Sequence, residues 1–506
     1  MKNIVNFASV LAMASSVNAT PAQANAVCCN ALTKTLPGIV YAPSSPDYDR
    51  LINHRWSNTA ILHPGCVVTP KAAEDVSKAI KIIVNNQCQF AVKSGGHNAN
   101  AGFNSIDDGV SIDLSTLNAA YLSTDRSYVS LGAGVTWGQA YDTFNDSGIG
   151  FTGGTCEDVG VGGVSLGGGE SLFPASRGWA VDNILRYQVV LASGEIVVAN
   201  ETHYPDLFRS LKGGNTNFGV VTRVDLETFP FKGLWGGEVV TGLNAPGANG
   251  TDLKNRIAQA TVDFTANNYR DWDTAMQLIW LYQGSTGAQV VDTFFANTKQ
   301  KENPKAIQTF LDLPHQVKNT VKQISLADFV HNVSKFTVAG FREVTATLTT
   351  YNDYTTLREI WEASDAIYNA LPQKDNIDWM ISFIPQPKIQ QAYAYKHGGN
   401  SLGLENVQKD QVVFWMLTRW TDPSLDTIIT EARDKFVDVA TAIAKKHNTY
   451  HPWLYINYAT PKQDPLCGYG TKNVAFLKQT AKKYDPNGVF QNLLPGGFKL
   501  KNAKCA

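Results

Sequence analysis

The sequence predicts an α+β protein of two domains, and three observations carry that prediction. A length of 506 residues exceeds what one domain usually holds. Short strand-like runs are mixed with amphipathic helical patterns in no regular βαβ order. Around Pro230 the character changes and glycine thins out, which places a second domain at residues 232–440. The tail, 448–500, returns to Tyr, Asn, Gly and Pro and is expected to rejoin the first domain.

Taken in order, Pro37, Pro43 and Pro46 mark an extended stretch. Thr69 as cap and Pro70 in the first turn signal a helix in which Ala73, Val76, Ile80, Ile83 and Val84 recur at helical spacing. Phe90-Ala91-Val92 reads as a buried strand that delivers the chain into Ser94-Gly95-Gly96-His97-Asn98. Residues 110–114 and 128–133 read as strands, and 136–145 as a helix ended by Gly148. Residues 150–169 hold nine glycines and leave no room for a regular helix. Residues 186–199 form a hairpin turning at Ser193-Gly194, 205–212 a short helix, and 220–226 a strand. In the second domain, 276–282 and 288–295 pair around Gly284-Gly287, and 355–371 and 426–447 are helical.

Composition bounds the function. Hydrophobic residues are 43% and charged residues 17%, which excludes a disordered chain. A net charge of −1 gives no electrostatic case for nucleic acid or an anionic membrane. Residues 1–19 read as a secretory signal: Lys2, a small apolar run from Val5 to Val17, then Val17-Asn18-Ala19 at the cleavage end. No later apolar run is long enough to span a bilayer, so a soluble extracellular protein is expected. Export permits disulfides among Cys28, Cys29, Cys66, Cys88, Cys156, Cys467 and Cys505. The number is odd, so at least one is left over, and the pairing stays open. Sequons at Asn145, Asn200, Asn249 and Asn332 suit a glycosylated surface.

Glycine lets backbone approach a ligand closely, and successive N–H groups in such loops form anion-binding nests. The SGGHN loop and the glycines at 160–169 therefore suit a pyrophosphate. Neither GxxxxGK[ST] nor a dinucleotide-binding GxGxxG turn is present, so a nucleotide cofactor requires another scaffold.

The segments FAVKSGGHN, GGTCEDVGVGGVSLGGG, GWAVDNI, VVLASGEIV, YPDLFRSLKGGNTNFGVVT, YINYA and YDPNGVFQNLLPGGFK together resemble flavoproteins of the vanillyl-alcohol oxidase / p-cresol methylhydroxylase fold. More narrowly they resemble the berberine-bridge-enzyme-like oxidases, above all secreted fungal members. The resemblance implies a two-domain FAD-binding fold. Residues 40–231 and 441–506 would form the FAD domain, and an antiparallel-sheet substrate domain would roof the flavin ring. It implies a bond from His97 to the ring's 8α methyl. It implies a second bond through the sulfur of Cys156, to the ring's pyrimidine-side neighbour; a disulfide or buried thiol is the competing reading of Cys156. Ser94, Gly95, Gly96, Asn98, Val159, Gly160, Gly162, Gly163 and Asn457 match cofactor-binding positions, and Asn492 is a further candidate. Valine at 159 goes with oxygen access in the family. Val164 stands where many relatives carry a histidine that helps hold the ribityl chain.

By resemblance Tyr455-Ile456-Asn457-Tyr458 is the active-site strand. Alternation would place Tyr455 and Asn457 on one face and Tyr458 on the other. Tyr458 is the expected base, with Tyr455 the alternative, if neighbours lower a pKa that is ordinarily ~10. Simple aromatic packing competes for both. Ala459-Thr460-Pro461 follow where relatives carry an acid, so no carboxylate helper is expected. The implied activity is that of an exported monomeric FAD oxidase, without metal, acting on a small molecule with O₂ and releasing H₂O₂. A secondary metabolite is the expected substrate, oxidised or oxidatively cyclised. The alternatives are a carbohydrate oxidase acting on an anomeric hydroxyl, and a flavin-holding cyclase or scaffold without net redox turnover.

Overall fold

The structure, a computed structural model, describes residues 21–335 and 337–505; the expected leader lies outside the described residues. Three sheets organise the chain. The smallest runs Val40–Tyr41, Cys66–Val68, Val110–Asp113, Phe90–Lys93, with its last three strands parallel. The helix Ala73–Asn86 provides the crossover between two of them and buries Val76, Ile80 and Ile83. Its start differs from the sequence expectation. Thr69 remains extended, its N–H bonded to Ile39 at 2.9 Å. The helix begins after Ala72, with the Asp75 carboxylate accepting from the Lys71 N–H at 3.1 Å.

The second sheet is antiparallel and centred on Val220–Pro230, flanked by Tyr128–Gly132 and by the hairpin Ile184–Val190 with Ile196–Ala199. The third has nine antiparallel strands, beginning at Leu234–Gly242 and ending at Tyr450–His451. Its hairpin Thr274–Gln283 with Ala288–Asn297 matches the predicted pair in position. The helices Gly250–Asn267, Tyr354–Asn369 and Asp426–Lys446 contribute to a core on one face of this sheet, where Trp280 and Trp361 stack at 4.5 Å. The central strands are buried on both faces and read as near-continuous apolar runs, while the helices bury one face each.

One expectation fails in the glycine-rich run. Residues Val161–Gly167 form a two-turn helix. Low glycine propensity is outweighed because Val161, Val164 and Leu166 are buried in the central core.

Among the described residues three disulfides are formed, Cys28–Cys88, Cys29–Cys66 and Cys467–Cys505, and Cys156 alone stays free. The first two fasten the N-terminal helix Pro21–Thr35 to the small sheet and its helix. Among the described residues no helix is long and apolar enough to cross a membrane.

Candidate functional site

A cleft of about 290 Å³ lies between the glycine loops of the first two sheets and the nine-stranded sheet. The strand that leads into it ends at Lys93, whose ammonium is buried against Asp113 at 2.9 Å. The two are register partners at the ends of two parallel strands. Breaking the pair would strand a buried charge, so the chain leaves the strand at a fixed point. Ser94 Oγ then donates to the Ala133 carbonyl at 2.5 Å. Gly96 takes φ +76°, a left-handed conformation that suits glycine. A Cβ on Gly95 would lie 2.4 Å from the Gly160 nitrogen, and one on Gly160 only 2.3 Å from the Gly95 nitrogen. The two glycine loops therefore touch backbone to backbone.

This contact brings His97 and Cys156 together, with Nε2 and Sγ 3.8 Å apart. The imidazole stacks on Trp56 at 4.2 Å, and burial lowers its pKa to about 4. It is therefore neutral at ordinary pH, with a nitrogen lone pair available for bonding. Burial pushes the Cys156 thiol up, opposed by hydroxyl contacts from Thr337 at 2.9 Å and Ser334 at 3.7 Å. Both hydroxyls come from the segment that follows the helix start at Leu326, so the roof grips the thiol. One turn earlier His331 bridges Glu157 and Asp142, and those carboxylates raise its pKa.

Every expected cofactor contact, from Ser94 to Asn98, at Val159, Gly160, Gly162 and Gly163, and at Asn457, lines this cleft. Gly163 has no atom within 4 Å of where its Cβ would be, so a ligand can lie directly on the helix there. Among the described residues no Lys or Arg lines the cleft. A pyrophosphate would be held by backbone N–H groups, which is what these loops offer. The residues present thus fit an FAD. Asn492 does not belong to the site; it is exposed and accepts from Lys501 at 3.0 Å.

The opposite end departs further from expectation. Residues 455–458 form a turn and not a strand, the Tyr458 N–H returning to the Tyr455 carbonyl at 2.9 Å. Both tyrosines consequently face the same cleft, their rings edge to face at 4.6 Å. Tyr455 is buried, and its oxygen accepts from the Gly169 N–H at 3.0 Å and from Asn457 Nδ2 at 3.2 Å. Tyr458 is half-buried and stacks on Trp415 of the roof at 5.1 Å. Neither phenol has the lowered pKa that a tyrosine base requires. Burial raises both, and the charge of Glu170 adds to it.

Glu170 was missed by sequence reasoning. It follows Gly168-Gly169, is the one carboxyl among the described residues lining the cleft, and accepts from Gln386 Nε2 at 2.6 Å. Burial raises its pKa to about 8, against the effect of that hydrogen bond. Its only signal in the sequence was an acid at the end of a glycine run. Trp56, Gln277, Thr337 and Trp415 also line the cleft and carried no motif.

Comparison with known proteins agrees with this geometry. The model of the family described as an FAD binding domain matches residues 64–200. An FAD-dependent monooxygenase of Aspergillus calidoustus, drtC, is 32% identical over 494 residues, covering 96% of this chain and 92% of the relative. Another, sdcF of Emericella nidulans, is 31% identical, covering 94% and 99%. Among solved structures, the xylooligosaccharide oxidase of Myceliophthora thermophila superposes with TM-score 0.75 at 20% identity, over 94% of this chain and 99% of its own. The glucooligosaccharide oxidase of Acremonium strictum, described with a 6-S-cysteinyl, 8α-N1-histidyl FAD, gives 0.72 at 19%, over 92% and 98%. Position 6 of a flavin belongs to the benzenoid ring, the same side as the 8α methyl, so in that neighbour both bonds meet one edge of the ring. The adjacency of His97 and Cys156 agrees, since two groups 3.8 Å apart can meet one ring edge.

Proposed function

This chain belongs to the FAD-linked oxidoreductases of the berberine-bridge-enzyme-like group, with the vanillyl-alcohol oxidase / p-cresol methylhydroxylase fold, and from that premise we propose a secreted oxidase that tailors a secondary metabolite. FAD supplies hydride acceptance and the onward passage of electrons to O₂, giving H₂O₂. The observation that carries the reading is the convergence of the neutral His97 imidazole and the free Cys156 thiol at one end of the cleft. Double covalent attachment through these two residues is part of the proposal. A tethered cofactor needs no enclosing grip, which suits an open cleft and a bulky substrate.

The chain's own residues define what happens at the other end. Trp415, Ile279 and Phe294 of the roof offer an apolar surface for an aromatic or polycyclic substrate. Tyr458 stands half-exposed beneath them as a hydroxyl donor, able to orient a substrate oxygen. With both acceptor sites of its oxygen engaged, Tyr455 is left as a donor pointing elsewhere. Three disulfides support export, and the substrate is taken to be a small molecule met by a monomer away from membrane and nucleic acid.

Anaerobic mixing of the purified protein with aromatic alcohols should bleach the flavin, and air should restore it with one H₂O₂ per substrate. Label from ¹⁸O₂ appearing in the product would overturn the oxidase reading in favour of oxygen insertion, the activity named for the fungal relatives. The carbohydrate oxidase reading draws on the sugar-oxidising structural neighbours, and bleaching by cellobiose or xylobiose alone would favour it. Turnover without bleaching would favour a cyclase.

A further inference from the structure

The proposed oxidation leaves a proton to be placed, and neither tyrosine is disposed to take it. We propose that Glu170 is the group that accepts the substrate's hydroxyl proton, held in position by Gln386. The assignment rests on the oxidase reading and names a residue that reading does not.

The geometry is specific. Gly168 and Gly169 have φ +125° and +86°, conformations that suit glycine and that turn the chain sharply before the carboxyl. The same turn points the Gly169 N–H at the Tyr455 oxygen, so carboxyl and phenol are placed by one piece of backbone. Gln386 closes a strand of the roof, is 2% exposed, and fixes one carboxyl oxygen. No other hydrogen bond to that carboxyl is present among the described residues. The second oxygen is therefore free toward the cleft.

The charges facing it leave Glu170 alone in the role. Tyr455 and Tyr458 from the C-terminal turn, and His97 and Cys156 across the cleft, are the other titratable groups lining it. All four are held neutral by burial near pH 7. No cation compensates Glu170, and an uncompensated carboxyl inside an apolar cleft is costly for structure alone. A pKa of about 8 is suited to taking a proton near neutral pH, because a base works best when its pKa lies close to the operating pH.

The step balances. The substrate O–H breaks and its proton goes to a Glu170 oxygen. Bound FAD would supply the acceptor for the hydrogen on the adjacent carbon and its electron pair, two electrons in all, as the carbon–oxygen single bond becomes a carbonyl. The Glu170 carboxyl later returns its proton to solvent.

Two measurements on the flavin-loaded protein decide the matter. Infrared difference spectra across pH 6 to 9 should show a carboxyl band titrating near pH 8 in the wild type that is missing in Glu170→Gln, beside the bands of Asp292 and Glu343, which burial raises to about 8 and about 9 and which the substitution leaves in place. Identical titrating bands in the wild type and Glu170→Gln overturn the assignment without any substrate. Anaerobic flavin reduction by benzyl alcohol and by cellobiose gives the second reading. Reduction should rise with pH through about 8, fall on the order of 100-fold in Glu170→Gln, and lose its pH rise there. An unchanged rate and pH rise in Glu170→Gln overturns the proposal. If neither probe bleaches the wild type, the substrate reading fails while the infrared band still decides Glu170. Should Glu170→Gln not load flavin, Glu170→Asp retains a carboxyl and should keep a displaced band.

Discussion

The two ends of the cleft are built by opposite strategies. At the imidazole–thiol end, reactive groups sit inside contiguous glycine runs, and close backbone contact sets their separation. At the tyrosine–carboxyl end, no run is contiguous. Glu170, Gln386 and Tyr455 come from three separate parts of the chain and meet only in the folded protein. Permanent attachment of a cofactor requires a fixed pair of atoms. Substrate chemistry requires a tunable environment, and at the second end burial raises the Glu170 carboxyl to about 8 and raises both phenols.

Removing both anchors should give the largest effect. In the double variant His97→Ala, Cys156→Ala, a denatured mass spectrum should show no flavin on any peptide, while each single variant keeps it. Flavin lost completely from the His97→Ala single variant would show that sulfur makes no bond of its own. Next comes the chemical end. Tyr458→Phe should retain its colour and slow flavin reduction about 10- to 100-fold, as loss of a positioned proton-bonding group does. A rate equal to wild type would reduce Tyr458 to packing against Trp415.

Gly163→Ala separates folding from cofactor. Alanine is the better helix residue by about 1 kcal/mol and meets nothing in the protein, so folding should be undiminished. Its methyl would occupy the open floor, so flavin content per chain should fall. Full loading would remove Gly163 from the cofactor's path. The smallest effect belongs to the clamp beside Cys156. His331 has a raised folded pKa, so its stabilisation is complete below the unfolded value near 6.5 and is lost as pH rises through the folded value. His331→Ala should lower thermal stability at pH 5 by under about 1 kcal/mol after solvent screening, and hardly at all at pH 9.

What the sequence disclosed follows the same division. His97 and Cys156 were legible because their neighbours in sequence are their neighbours in space. The central hairpin at 274–297 was legible as two apolar runs around Gly284-Gly287, and the helices at 354–369 and 426–446 because each buries one face and shows it as a period. Glu170 was not legible, since its partner Gln386 is 216 positions away and a lone acid after glycines has no period to reveal it. The strand expected at 455–458 rests on the resemblance alone, and Tyr455-Ile456-Asn457-Tyr458 carries no glycine or proline to signal the turn found there. Only the return of the Tyr458 N–H to its own neighbour's carbonyl distinguishes the two. The helix Val161–Gly167 was excluded on propensity, and packing overrode it.

The contact between Gly95 and Gly160 has a consequence for how such a protein can diverge. Each residue forbids a side chain on the other, so neither position can drift alone, and a compensating change elsewhere has no volume to give back. Ancestry can therefore reshape the roof, exchange the acid or alter the tyrosines while this crossing stays locked. New chemistries in this lineage should arise above a floor that mutation cannot gradually revise.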